Sequence, residues 1–216
     1  MAYQLKVTLD GTEPKVWRRL VLNEEMSFHD LNNILKLLFE IRSHVNYEFQ
    51  SGGIKVTNHP GGFTKEEANK VLKSQGFMKK VESKKTEADR EEKELESMEK
   101  DRPKYGTETR ICDVVRPGWF YTSFAYKIGE WKATIVLEKK LDKVSLVPEC
   151  IAGEMAPPPD DCESPDEYRR LVKRQDEASE EKEEDGDLDE GDDFEPYEFD
   201  KDHINRDLES GAWKHH

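Results

Sequence analysis

Two cysteines, Cys150 and Cys162, are the side chains in this sequence whose chemistry most directly suggests a metal site. They lie within the stretch ECIAGEMAPPPDDC, and structural zinc sites usually hold four thiolate or imidazole ligands. The two are twelve residues apart, without the C-x-x-C spacing of a local zinc motif, and Cys112 is remote in sequence. Buried thiols that pack as small apolar side chains explain the pair more simply. We therefore predict neither a metal nor another cofactor, and keep a zinc site at Cys150 and Cys162 as the alternative.

A second group, His44, Asp160 and Asp161, contains residue types that support hydrolysis. Histidine titrates near neutrality and can act as a general base, and carboxylates can bind a divalent metal ion. Against this, a histidine at a helix–strand junction more often makes a structural hydrogen bond, and paired carboxylates are common in loops. The sequence also has no nucleophile elbow, glycine-rich phosphate loop or HExxH motif. We predict no catalytic residues, with a metal-dependent hydrolase or nuclease built on these three residues as the alternative.

The tryptophans suggest a third kind of site, in which Trp17, Trp119 and Trp131 line a ligand-binding groove between two hairpins. Such concave sites are rich in aromatic side chains. Large aromatic residues more often fill a core, however. We therefore favour a structural role for these three side chains.

Negative charge is concentrated near the C-terminal end of the chain. Residues 175–202 contain sixteen acidic residues and two lysines, which accounts for the formal net charge of −14 of the whole protein. The remainder is therefore neutral, whereas nucleic-acid binding requires a basic surface that contacts phosphates. The acidic stretch also fails as an EF-hand, because Glu190 and Pro196 occupy the positions of the required glycine and glutamate. Nucleic acid is disfavoured as a partner.

Composition and hydropathy limit the class of protein. Charged residues make up 38% of the chain, against about 25% in an average globular protein, so part of the chain is expected to stay solvated. The first residues lack the features of a signal peptide, and no apolar stretch reaches the roughly 20 residues that span a bilayer. Three cysteines form no evident disulfide framework. We expect an acidic, cytoplasmic protein that is not bound to a membrane.

Hydrophobic periodicity predicts the elements that would position these side chains. Alternating apolar residues indicate one β-hairpin over residues 3–22 and a second over residues 119–139. Helical spacing indicates a main helix over residues 27–41, with an apolar stripe that neither hairpin alone could cover. Isolated hairpins are marginal in water. We therefore predict an α+β fold in which both hairpins join one mixed sheet packed against this helix.

The polar segments divide the chain into an ordered domain and its appendages. Residues 58–106, approximately, carry charges of both signs and predict a solvated helical insertion. Residues 166–173 suggest a short helix, and residues 175–193 are too poor in large apolar side chains to order by burial. The predicted organisation is an α+β domain at 1–174 that contains the insertion, an acidic disordered linker at 175–193, and a C-terminal segment at 194–216 that returns to the domain.

Several segments, in this order, resemble one known family. YQLKVTLDGTEPKVWRRLVL followed by SFHDLNNIL is similar to the start of the Ri-plasmid ORF-three-like family, some members of which are described as transposon passenger proteins. FAYKIGEWKATIVLEK resembles its second hairpin, PECIAGEMAPPPDDC its proline-rich cysteine segment, and DFEPYEFDKDHIN its terminal segment. Ala133 and Ala156 stand where many members carry a histidine and a cysteine. The resemblance implies an α+β fold with a mixed sheet beside a helix, and implies no particular activity.

The function predicted from these observations is a non-enzymatic interaction module of undetermined role. The sequence identifies no partner and leaves a protein partner open, whereas the charge balance disfavours nucleic acid and the hydropathy disfavours a membrane. The resemblance adds an association with mobile genetic elements.

Overall fold

The structure, a computed structural model, describes residues 1–42, 46–51, 54–58, 104–115, 123–143, 145–185 and 194–215. Within these ranges eight strands form one sheet in the order β5-β4-β3-β6-β7-β1-β2-β8, antiparallel except for the parallel pair β4 and β5. The strands are β1 (Ala2–Leu9), β2 (Trp17–Asn23), β3 (Tyr47–Ser51), β4 (Ile54–Thr57), β5 (Lys104–Tyr105), β6 (Ser123–Ile128), β7 (Trp131–Leu141) and β8 (Glu149–Glu154). The helices are α1 (Phe28–Leu38), α2 (Ile111–Val114), α3 (Pro165–Asp185) and α4 (Lys201–Ser210), followed by a 3-10 turn (Ala212–His215). The predicted α+β class is confirmed.

The centre of the sheet is built from two antiparallel hairpins. Strand β1 pairs with β2 on one side and with β7 on the other, and β7 pairs with β6. Gly11 and Gly129 have positive φ angles in the two connecting turns, a conformation that glycine adopts without steric cost. Alternate residues of β1 and β7 are buried, so the sheet presents one apolar face to the helices.

Helix α1 begins at a complete capping box. The Ser27 hydroxyl accepts a hydrogen bond from the Asp30 amide at 3.0 Å, and the Asp30 carboxylate accepts one from the Ser27 amide at 3.0 Å, which satisfies two amides that the helix start leaves unpaired. The ring of Phe28 lies edge-on to Phe49 of β3 at 5.1 Å and to Phe124 of β6 at 5.6 Å. The helix is therefore fixed at its N-terminal end both by hydrogen bonds and by aromatic packing on the sheet.

The C-terminal residues pack onto the domain through α4 and the 3-10 turn. Leu208 and Trp213 are buried in the same core cluster as the residues of α1 and the sheet. The side-chain amide of Asn205 accepts a hydrogen bond from the Cys150 N–H at 2.8 Å and donates one to the Cys150 carbonyl at 2.9 Å. This pairing joins α4 to β8, the strand at one edge of the sheet.

The C-terminal end of the predicted insertion contains a short strand. Lys104 and Tyr105, assigned to the insertion, form β5 and pair with Val56 and Thr57 of β4, and the Gly106 amide donates to the Thr57 carbonyl at 2.8 Å. A two-residue strand has no periodicity that the sequence could reveal. Residues 59–103 of the predicted insertion lie outside the described residues, as do residues 119–122 at the start of the predicted second hairpin.

The boundary between α3 and the acidic linker is also different from the prediction. The helix predicted at 166–173 continues to Asp185, so the first part of the segment assigned to a disordered linker is helical. Glutamate, lysine, arginine and glutamine are strong helix formers, and Lys173 and Glu177 form an i,i+4 ion pair at 3.4 Å. The prediction considered burial alone and neglected this local preference. Residues 186–193 lie outside the described residues. None of the helices in the described ranges has the length and apolar content needed to cross a bilayer.

Candidate functional site

The three residues of the hydrolase hypothesis do not form a described cluster. Asp160 forms an ion pair with Arg42 at 2.7 Å on the surface, whereas Asp161 lines a cleft on the helical side of β2. His44 lies outside the described residues. Over the described ranges, no three histidine, cysteine, aspartate or glutamate side chains are placed to hold a metal ion together. The hydrolase or nuclease alternative stays a hypothesis.

Cys150 and Cys162 are both buried free thiols. The Cys150 thiol donates to the Ala152 carbonyl at 3.6 Å, and the Cys162 thiol donates to the Ser164 carbonyl at 3.4 Å. Burial raises the pKa of each thiol to about 11, because the thiolate loses its hydration. Both side chains are therefore neutral near pH 7, and each has a local backbone acceptor.

We expect the purified protein to carry less than about half an equivalent of zinc, and its two buried thiols to be unreactive. A disulfide reagent such as Ellman's reagent should modify the partly exposed Cys112 in the native protein, and Cys150 and Cys162 only after denaturation, because the thiolate is the reacting species. Elemental analysis and thiol counting with and without denaturant are the measurements. Stoichiometric zinc that is lost on mutating Cys150 and Cys162 would contradict this expectation.

The structure places the tryptophans in different environments. Trp131 is buried in the core cluster. Trp17 is only half-buried, with its indole N–H donating to the Glu154 carboxylate at 2.8 Å and the Lys6 ammonium 4.5 Å above its ring. Trp119 lies outside the described residues. The groove between hairpins is therefore not formed by Trp17 and Trp131.

An arginine on the inner face of β2 is the most unusual polar group in the described part of the chain. Arg18 has no exposed surface, and its guanidinium lies 5.5 Å from the ring centre of Phe39 and 4.5 Å from that of Phe199. Its Nη1 donates to the backbone carbonyls of Trp17 at 2.9 Å and Glu154 at 2.8 Å. Its Nε and Nη2 have no hydrogen-bond partner among the described residues.

These two unpartnered donors are costly for the fold. A buried donor without an acceptor costs about 1–3 kcal/mol, and more when it belongs to a charged group. Burial lowers the pKa of Arg18 to about 10, because the desolvated cation is disfavoured, and the group still carries its charge near neutral pH. Nε and Nη2 lie along one edge of the guanidinium. The two oxygens of a single carboxylate can accept one hydrogen bond from each of them.

Arg18 is the most deeply buried of the charged residues that line a cleft of about 530 Å³, and we call its position the floor of the cleft. The size falls within the usual range of about 300–1,000 Å³ for small-molecule sites. The walls are apolar and come from the proline-rich loop, α3, α4 and the segment before α4, and consist of Ala156, Pro157, Pro159, Leu171, Phe194, Phe199 and Ile204. The rim is acidic and consists of Glu40, Asp161, Glu195, Glu198 and Asp200, with His203 beside them.

Backbone strain occurs beside this cleft. Glu40 and Met155 have φ angles of 52° and 67°, and they are the two non-glycine residues with positive φ in the described ranges. Glu40 lines the cleft, and Met155 immediately precedes Ala156, which also lines it. Non-glycine residues adopt this backbone conformation at a cost in free energy, and residues that retain it are concentrated at functional sites.

A glycine makes room for the aromatic ring that covers Arg18. A Cβ atom on Gly153 would lie 2.6 Å from the ring of Phe199 and 2.9 Å from Cδ of Arg18, well inside van der Waals contact. Only a residue without a side chain in this position of β8 lets Phe199 stack on the guanidinium. Close packing beside the cleft therefore involves Gly153 of β8, Arg18 of β2 and Phe199 in the segment before α4.

Comparison with known sequences places the chain in a family. The sequence model described as "Plasmid pRiA4b ORF-3-like protein" matches residues 1–205. The chain belongs to this family. The resemblance expected from the sequence is thereby confirmed. No curated protein matches this plasmid ORF-3-like chain.

A solved structure shares the fold of this plasmid ORF-3-like protein. The crystal structure of a protein of unknown function, MM3350 from Methanosarcina mazei Go1, superposes with a TM-score of 0.58 over 94% of this chain and 96% of that chain. The two sequences are 21% identical, so the similarity concerns the fold. It supports the α+β class of the family member described above.

Sequence reasoning missed Arg18 as a site residue of this plasmid ORF-3-like chain. The signal was present, because Arg18 and Arg19 interrupt the apolar alternation of a strand. Arg19 faces the opposite side of the sheet and forms a bidentate pair with Glu138 at 2.7 and 2.8 Å, so only Arg18 faces the core. An arginine at an inward position of a strand, followed by the buried Leu20, is a detectable anomaly.

Proposed function

We propose that this plasmid ORF-3-like protein is a non-enzymatic binding module whose ligand enters the cleft and, as the side chains that bury the guanidinium move aside, presents an acceptor group to Arg18. The observation that supports the proposal is the pair of buried, unpartnered donors, Nε and Nη2. A bound carboxylate would accept both hydrogen bonds and remove a cost that the free protein carries. The family's plasmid name supports a wider association with mobile genetic elements.

The chemistry of the cleft floor favours binding over catalysis. Arg18 keeps its proton near neutral pH despite its burial, so it orients and neutralises a ligand and does not transfer protons to it. The rings of Phe39 and Phe199 lie close to the guanidinium, and its hydrogen bonds to two backbone carbonyls restrict its rotation. A cation held rigidly in an apolar site is preorganised for an acceptor, which reduces the entropic cost of binding.

The test is a titration that observes Arg18 itself. The Nε–H signal of Arg18 in a spectrum of ¹⁵N-labelled protein, assigned by its loss in Arg18→Met, should shift saturably with at least one of benzoate, hexanoate and 6-aminohexanoate. Arg18→Met should weaken that binding by at least about a hundredfold, since a desolvated bidentate ion pair is lost. The variant should remain folded, because replacing a buried, partly satisfied charge by an apolar side chain of similar length is often neutral or stabilising.

Arg19→Met is the matched control. It removes the same charge one residue along β2, on the opposite face of the sheet, where Arg19 pairs with Glu138. Binding should be unchanged in this variant. If none of the three carboxylates moves the Arg18 signal in the native protein, or if both variants lose binding equally, the proposed function is wrong.

A further inference from the structure

The mouth and the floor of the cleft carry opposite charges. The rim carboxylates of Glu40, Asp161, Glu195, Glu198 and Asp200 face one cation at the floor, Arg18. None of the five takes part in a salt bridge within the described part of the chain, whereas Asp160, next to the cleft, is neutralised by Arg42. Among the described residues that line the rim, His203 is the only basic side chain, and its Nε2 lies 3.6 Å from the Asp207 carboxylate.

This distribution argues against a simple anion as the ligand. A carboxylate or phosphate without a compensating charge would reach Arg18 only through a region of negative potential, which lowers its local concentration. A purely cationic ligand would be attracted to the rim, but it would leave Nε and Nη2 of Arg18 without acceptors. A ligand that carries both charges, at opposite ends, satisfies the floor and the rim together.

We infer that the ligand is a small zwitterion whose carboxylate binds Arg18 and whose ammonium or guanidinium group lies among the rim carboxylates. This inference rests on the proposed function, because it uses the same cleft and the same arginine. Between the two charged ends, the walls supplied by Pro157, Leu171 and Ile204 are apolar. They would pack against a methylene spacer, as apolar walls do in most small-molecule sites.

A series of three probes of one length separates the contributions of the two charges. 6-Aminohexanoate carries both groups, hexanoate only the carboxylate, and hexylamine only the ammonium. For the native protein, 6-aminohexanoate is expected to bind at least about tenfold more tightly than either single-charge probe, since exposed ion pairs are individually weak and several act together here. The dissociation constants are measured by calorimetry, with the Arg18 Nε–H signal as the readout of site occupancy.

Two variants assign each charge to its partner. In Arg18→Met, the affinity for 6-aminohexanoate should fall to that of hexylamine. In the double variant Glu195→Gln/Glu198→Gln, the advantage of 6-aminohexanoate over hexanoate should shrink severalfold, whereas the affinity for hexanoate should stay the same or rise. Both glutamates are exposed, so the double variant is expected to unfold at the same denaturant concentration as the native protein.

The outcomes distinguish this inference from the proposed function. If hexanoate binds the native protein as tightly as 6-aminohexanoate and shifts the Arg18 signal, the zwitterion is wrong and the binding function stands. An unchanged ratio of the two affinities in the glutamine variant also overturns the zwitterion. If hexylamine binds as tightly as 6-aminohexanoate, the zwitterion is wrong. If benzoate, hexanoate and 6-aminohexanoate all leave the Arg18 signal unmoved, both the inference and the proposed function are wrong.

Discussion

Replacing Leu35 or Ile135 with alanine is expected to lower the free energy of unfolding by about 2–5 kcal/mol, the usual cost of truncating a large buried aliphatic side chain. Leu35 lies in α1 and Ile135 in β7, and neither has any exposed surface. Both belong to one cluster of buried side chains. Because the two substitutions open cavities on opposite sides of the same helix–sheet interface, each should destabilise the whole domain in a single cooperative transition.

Denaturant unfolding of the two variants measures this effect, and Leu146→Ala is the matched control. Leu146 undergoes the same chemical change at a position that is 84% exposed, so its free energy of unfolding should change by no more than about 0.5 kcal/mol. An unmoved midpoint in both Leu35→Ala and Ile135→Ala would show that the helix and the central strands do not share one core.

Replacing Trp213 with alanine should cost about 3–5 kcal/mol, as for other buried large aromatic side chains. Trp213 lies in the 3-10 turn after α4, is 6% exposed, and belongs to the same core cluster. The 3-10 turn contacts α1 and α4. The C-terminal segment predicted to return to the domain should therefore unfold together with it.

Tyr197→Ala serves as the control for Trp213→Ala, because Tyr197 belongs to the same C-terminal segment and is 61% exposed. Its removal should change the free energy of unfolding by about 0.5 kcal/mol at most. A second, earlier unfolding step in the native protein that is lost in Trp213→Ala would instead mean that residues 194–215 dock as a separate, weaker unit.

The elements that the sequence predicted best are those specified by local signals. Ser27 and Asp30 cap α1 as a hydrogen-bonded pair, and the apolar stripe of Leu31, Ile34 and Leu35 is buried as its helical spacing indicated. The alternation of apolar and polar residues in β1 likewise predicted which face of this strand is buried. In such segments the local preference and the tertiary packing agree, so the pattern alone is sufficient.

The features that the sequence did not predict depend on contacts between distant segments. Strand β5 exists because Lys104 and Tyr105 meet β4 across a long stretch of chain, and two residues carry no periodic signal. The burial of Arg18 depends on the nearby rings of Phe39 and Phe199, and on the absence of a side chain at Gly153. None of these three partners is close to Arg18 in sequence, so the cleft could not be assembled from local patterns.

The amide of Asn205 imitates a neighbouring strand at the edge of the sheet. Its two hydrogen bonds to the N–H and carbonyl of Cys150 are those that another β-strand would make at that residue of β8. Unpaired edge strands are templates for the addition of further chains and a common origin of aggregation. Because the Asn205 side chain occupies both backbone groups of Cys150, a second copy of the chain cannot pair with β8 at this residue. A chain shortened before α4 would uncover β8 and gain a surface for edge-to-edge polymerisation.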